Sequence, residues 1–209
     1  MMPQKTLALL LVLALAACVS STPPSRFYML TPEIAAADGG SVPIDVRIVG
    51  VGPIQLPRYL LRPQMVTRDQ DNELVLDEFS RWGDQLDLQF GRVVSENLAV
   101  LSAKAAVLQF PWRQDFKPEL RVVGDVTRFE AHRSGAAELR LRWGVVDMAT
   151  GKTVSVHDSS YRTTADASDP ASIAAAMSEL VADFSRELAV ALEEAGRSKQ
   201  AAEAGAGDR

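Results

Sequence analysis

The sequence predicts an α+β domain, an antiparallel sheet with two amphipathic helices packed on one face as a two-layer sandwich. Three observations predict it. Two segments, 84–103 and 169–196, carry apolar residues at helical spacing. Three long runs after residue 120 have strand character and are joined by short turns. The overall order is strand, hairpin, helix, four strands, helix, which sets two helices against one sheet.

The chain opens with Lys5, an apolar stretch from Leu7 to Ala16, and the tetrad Leu15-Ala16-Ala17-Cys18. This is signal-peptide order: charge, short apolar run, small residues at a cleavage site. The apolar run is far shorter than the roughly 20 residues that span a bilayer. The tetrad resembles a bacterial lipobox. That resemblance implies a diacylglycerol on the Cys18 thiol, cleavage between Ala17 and Cys18, and acylation of the new amine. The alternative is an ordinary secretory signal beside a stray cysteine. Residues 1–17 are therefore expected to be a lipoprotein signal peptide. Residues 18–26 are a lipidated tether, in which Val19-Ser-Ser-Thr-Pro-Pro-Ser25 is small, polar and Pro-rich. In bacterial lipoproteins of the enterobacterial type, Asp after the lipidated Cys marks retention in the inner membrane; the resemblance to that class, with Val19-Ser20 here, implies sorting to the outer membrane, facing the periplasm.

One domain is expected from 27 to 196. Phe27–Leu30 reads as a short strand, and Thr31–Pro43 as a loop. Ile44–Val51 alternates with strand period and is expected to end at Gly52-Pro53. Leu60–Thr67 and Leu74–Phe79 flank the polar turn Arg68-Asp-Gln-Asp-Asn-Glu73 as a hairpin. Asp84 to about Ala103 is a helix with Leu86, Phe90, Val93, Val94, Asn97, Leu98 and Leu101 in one stripe. Asp84 is its expected N-cap and Asp87 favours its dipole. Ala105–Phe110 is a short strand stopped by Pro111. Leu120–His132, Glu138–Met148 and Thr153–Thr163 form a meander with turns at Ser134-Gly135 and Thr150-Gly151. The last helix starts with Asp169 as cap and Pro170 at its first position, and Gly196 marks its expected end. Its buried stripe is Ile173, Met177, Leu180, Val181, Phe184, Leu188 and Leu192. Residues 197–209 read as a disordered tail.

Composition narrows the function. The net charge of −5 argues against nucleic acid and against docking on anionic lipid by charge alone. One Cys and two His build no thiol or imidazole metal site, and Cys18 has no partner for an intramolecular disulfide. Attachment to a membrane must then come from the lipid, and two or more chains hold stably.

Candidate chemistry is sparse. Asp69, Asp71, Asn72 and Glu73 offer oxygens for Ca²⁺, but Leu74 and Ser80 stand where an EF-hand needs Gly and Glu. A solvated turn is the plainer reading. His132 and His157 have no Gly-x-Ser-x-Gly elbow or Ser-x-x-Lys motif beside them. Pro53 removes an N–H that a phosphate loop at Gly50-Val-Gly-Pro53 would need. Arg62, Arg68 and Arg81 could hold a lipid phosphate or pair with Asp77, Glu78 or Asp84. Trp82, Trp112 and Trp143 could line a lipid groove or fill the core. No enzyme, metal or cofactor is expected. The stretch Gly52–Arg68 is too rich in Pro for a central strand throughout, so a loop is expected between Pro53 and Pro63. Tyr59 and Arg62 in it are residue types enriched at the energetic centres of interfaces. The expectation is that they join subunit to subunit or subunit to partner; alternatively, Tyr59 and Leu60 close the edge of the core.

Several stretches together carry a family resemblance. They are Phe27-Tyr-Met-Leu30, then Val51-Gly-Pro-Ile-Gln-Leu-Pro-Arg-Tyr-Leu-Leu-Arg-Pro-Gln-Met-Val-Thr-Arg68, Arg81-Trp-Gly-Asp-Gln-Leu86, Glu96-Asn-Leu98 and Phe110-Pro-Trp112. In these the chain resembles the PqiC-like branch of the ABC-type transport auxiliary lipoproteins, of the paraquat-inducible system. Gln85 departs from the Pro expected in the Arg-Trp segment, and no motif follows residue 113. The resemblance implies a non-enzymatic lipoprotein on the inner leaflet of the outer membrane, working with an MCE-domain partner that carries lipid between membranes. It also implies a homo-oligomer, ring-shaped, that docks the MCE tube. A stand-alone periplasmic lipid carrier and a periplasmic hydrolase are the other readings.

Overall fold

The structure is a computed structural model that describes residues 23–35, 42–70, 72–102 and 104–207. The signal peptide, Cys18 and the start of the tether lie outside the described residues. The elements in chain order are β1 (Arg26–Tyr28), β2 (Ile48–Gln55), β3 (Gln64–Asp69), β4 (Glu73–Trp82), α1 (Leu86–Leu101), β5 (Ala106–Gln109), β6 (Leu120–His132), β7 (Ala136–Asp147), β8 (Thr153–Thr164) and α2 (Pro170–Gly207). A short 3₁₀ turn, Arg58–Leu60, lies between β2 and β3.

All eight strands form one sheet, and it is mixed rather than antiparallel. The expected hairpin and meander are present: β3 pairs with β4, β6 with β7 and β7 with β8, all antiparallel. The other pairings are parallel: β1 with β4, β2 with β5, and both β2 and β3 with β6. β6 organises the sheet. Along one edge it pairs first with β2 (Val49 opposite Leu120) and later with β3 (Thr67 opposite Ala131). The Pro-rich segment between them leaves that edge and rejoins it. Local turns dictate the antiparallel pairs, whereas long connections are free to return in parallel.

The helices meet over one aromatic cluster. Phe90 of α1 packs edge-on to Phe129 of β6, with centroids 5.3 Å apart, and stacks on Phe184 of α2 at 6.0 Å. Phe184 also meets Trp143 of β7 at 5.6 Å. Phe90, Phe129 and Phe184 are fully buried, as are Leu180 and Leu188.

Several boundaries differ from expectation. β3 begins at Gln64 rather than Leu60, because Leu60 closes the 3₁₀ turn, and β4 runs on to Trp82. β2 starts at Ile48 and runs on through Gly52-Pro53, because a bulge between Val51 and Ile54 absorbs the proline. Gly52 sits there at φ 110°, which a side chain would resist. Asp84 does not cap α1; Gln85 holds that position. The Trp82 amide donates to Pro63 O and the Gly83 amide to Tyr28 O, so the sheet holds this chain up to Gly83. Gly196 does not end α2, which is helical to Gly207, through most of the expected tail. A Cβ at Gly196 would lie 3.4 Å from the Asp45 amide nitrogen, so this glycine permits close packing. Beyond it Lys199 Nζ meets Asp147 Oδ2 at 2.7 Å and Gln200 Nε2 donates to Asp45 O.

Candidate functional site

Three segments that contain or adjoin the motif stretches, distant in sequence, build one surface. The first is the end of β2 and the loop that follows. Leu56 and Leu60 anchor this loop in the core, and Leu61 stands out from it, 48% exposed. The Leu60 amide donates to Pro57 O at 2.9 Å and the Leu61 amide to Arg58 O at 3.2 Å, which fixes the turn. The second segment is the start of α1, where Leu88 lies off the buried stripe and is exposed. The third is Phe110-Pro111, held by the Phe110 amide donating to Val51 O at 2.8 Å. The Gln109 side-chain amide donates to Leu88 O at 2.9 Å and ties the second segment to the third.

Between them run two open furrows. One, about 480 Å³, is lined by residues that include Pro53, Ile54, Leu56, Leu88 and Phe110. The other, about 560 Å³, runs past Arg62, Pro63, Trp82 and Asp84. They meet at Leu61 and Asp87. Asp87 Oδ1 is buried without a hydrogen-bond partner. Two glycines shape the ground nearby. A Cβ at Gly52 would lie 2.9 Å from Phe110 Cβ, and one at Gly50 would lie 2.8 Å from the Trp112 ring.

Tyr59 and Arg62 point to different fates. Tyr59 is half-buried, and its hydroxyl donates to Glu130 Oε2 at 2.8 Å. Burial first, and the Glu130 carboxylate second, push the phenol up to about 12. Arg62 is exposed and has no side-chain partner among the described residues. Arg68 reaches across the sheet. Its Nε donates to Glu130 Oε1 at 2.8 Å, across the sheet on β6. Arg81 meets Glu78, with Nε donating to the Glu78 carbonyl at 3.0 Å.

The remaining candidates resolve into structure. Asp71 lies outside the described residues, Asp69 faces Arg133 at 3.4 Å, and no metal-ligand cluster occurs among the described residues. His132 Nδ1 accepts the Ser134 amide, and His157 stacks on Trp143 at 4.2 Å. Trp82 and Trp143 are core residues, and Trp143 Nε1 donates to Ser159 Oγ at 2.9 Å. Trp112 is half-buried over Gly50. No helix among the described residues is long and apolar enough to cross a membrane.

Sequence reasoning found the loop but missed Arg58, Leu61, Asp87, Leu88 and Phe110 as co-lining residues. Leu88 carried a signal: a large apolar residue outside the helix stripe.

The family model of the ABC-type transport auxiliary lipoprotein component matches residues 28–189. The chain belongs to that family. The family is a lipoprotein component of ABC-type transport, so membrane anchorage and a partner transport system come with it. No curated protein matches the chain in sequence. Among solved structures it is similar to a Xanthomonas campestris protein of the DUF330 family, at 18% identity and a TM-score of 0.68, covering 84% of this chain and 99% of that one. It is also similar to an uncharacterized protein at 17% identity and a TM-score of 0.65, covering 80% and 97%. Both share the fold.

Proposed function

We propose that this auxiliary lipoprotein is anchored in the outer membrane through lipid on Cys18 and faces the periplasm. There it serves, without catalysis of its own, an MCE and ABC-type lipid transport system of the paraquat-inducible kind. It assembles with copies of itself and docks the MCE-domain protein, bridging the two membranes and supporting membrane integrity. One observation carries the docking reading: segments 52–63, 82–88 and 109–111, which contain or adjoin the motif stretches, converge on two adjoining furrows edged by exposed Leu61, Leu88 and Phe110. Exposed apolar residues gathered on a rigid sheet mark an interaction site.

The test is co-expression with an MCE-domain protein of that type. Leu61→Asp with Arg62→Glu alters only exposed side chains. Loss of co-purification with an unchanged melting temperature is the expected result. Undiminished co-purification would remove the furrow from the interface.

A further inference from the structure

The furrow holds two guanidiniums and two carboxylates that do not pair. Arg58 lines the first furrow, Arg62 and Asp84 the second, and Asp87 both. Among the described residues the side chains of Arg58, Arg62 and Asp87 make no hydrogen bond or ion pair. Asp84 keeps one contact, its Oδ1 accepting the Gln85 amide at 2.7 Å. Apolar Leu61, Leu88 and Phe110 share the same surface. Asp87 Oδ1 has no hydrogen-bond donor among the described residues. Each furrow has the volume of a small-molecule site, apolar with a few polar groups.

We propose that this furrow binds a zwitterionic glycerophospholipid whose headgroup carries a primary ammonium, of the phosphatidylethanolamine kind. An acyl chain lies on the apolar bed, the phosphate faces Arg58 and Arg62, and the ammonium faces Asp87 and Asp84. Guanidinium matches phosphate geometry, and an ammonium supplies an N–H donor to Asp87, whose Oδ1 has none. A glycerol headgroup offers no cation, and a choline headgroup offers a cation with no N–H. The inference deepens the transport reading by naming the lipid, and rests on that reading for its place in transport, but its test needs no partner protein.

The full-length lipoprotein is reconstituted into phosphatidylcholine nanodiscs. These are doped in turn with photo-crosslinkable phosphatidylethanolamine, phosphatidylcholine or phosphatidylglycerol of one acyl chain. Adducts are mapped by mass spectrometry. The expected adducts fall in segments 52–62, 84–91 and 109–111, with phosphatidylethanolamine about tenfold above the other two. Asp87→Asn brings its yield down to that of phosphatidylcholine, and Asp87→Glu keeps the preference. Arg58→Gln with Arg62→Gln lowers all three. Melting curves verify that each variant is folded. Equal yields from the three lipids would report bilayer proximity alone and overturn the proposal. Adducts elsewhere, or a preference that survives Asp87→Asn, would overturn it as well. Should the preference be absent while Leu61→Asp with Arg62→Glu still loses the MCE protein, the docking reading stands and the lipid assignment fails.

Discussion

Tyr59 and Glu130, 71 residues apart, are joined by a hydrogen bond of 2.8 Å that pins the Pro-rich loop to the middle of the sheet. Glu130 is 2% exposed, and its carboxylate also takes Arg68 Nε at 2.8 Å and the Phe129 amide at 3.0 Å. The pair separates two roles within four residues: Tyr59 holds the loop, and Arg62 faces outward from it. Tyr59→Phe removes one bond to a carboxylate and should lower unfolding free energy by about 1–2 kcal/mol. Arg62→Glu should leave stability within about 0.5 kcal/mol. Chemical denaturation measures both, and equal effects would contradict this division.

Phe184 carries the second prediction. It is fully buried and touches Phe90, Trp143 and Tyr161, so it joins both helices to the sheet. Phe184→Ala should cost about 3–5 kcal/mol, the transfer free energy of the ring plus the cavity it leaves. A loss below about 1 kcal/mol would show that this helix face relaxes freely.

The sequence made the consecutive pairings legible because each rests on a local turn, as at Gln70, which sits at φ 53° between β3 and β4. It hid the parallel pairs, since nothing in Val49 or Thr67 names a partner on β6 at Leu120 or Ala131. Gly196 misled because a glycine after a helical run signals either a left-handed cap or a close approach, and only the neighbour, Asp45, decides which. The loop itself was visible from its prolines. Its partner Glu130 was not, because an acid on an alternating strand reads as solvent-facing. The furrow required the fold, since Leu61, Leu88 and Phe110 are unremarkable apart and form a surface only together.

The tail of α2 supplies a pH-dependent contact. Lys199, then the Thr150 amide, hold the Asp147 carboxyl down at about 2. A depressed carboxylate stabilises the fold above its unfolded pKa, near 3.9, and that contribution is lost as pH falls through about 2. The Lys199 side chain is 15% exposed and that of Asp147 10%, so residual hydration of the amine limits the contribution to on the order of 1 kcal/mol. Lys199→Met should therefore destabilise the protein at pH 6 by about that amount and have little effect below about pH 2. Urea melts across this range test it; a penalty independent of pH would assign the effect to lost packing of the lysine stem.

Under the proposed function, lipid on Cys18 sets where the domain works. Cleavage after Ala17 would put the Cys18 thiol at the first mature position, ahead of β1, which begins at Arg26. Seven residues, 19–25, lie between Cys18 and β1. With lipid on Cys18 the sheet edge at β1 would stay close to the bilayer while the domain reaches into the periplasm. Cys18→Ser deletes the only thiol in the chain. The variant should accumulate as uncleaved precursor or as soluble periplasmic protein, and its mature form should lack the mass of the lipid. Fractionation and intact-mass measurement read this directly. Normal processing and continued outer-membrane fractionation of the Cys18→Ser chain would show that something other than this lipid holds it there.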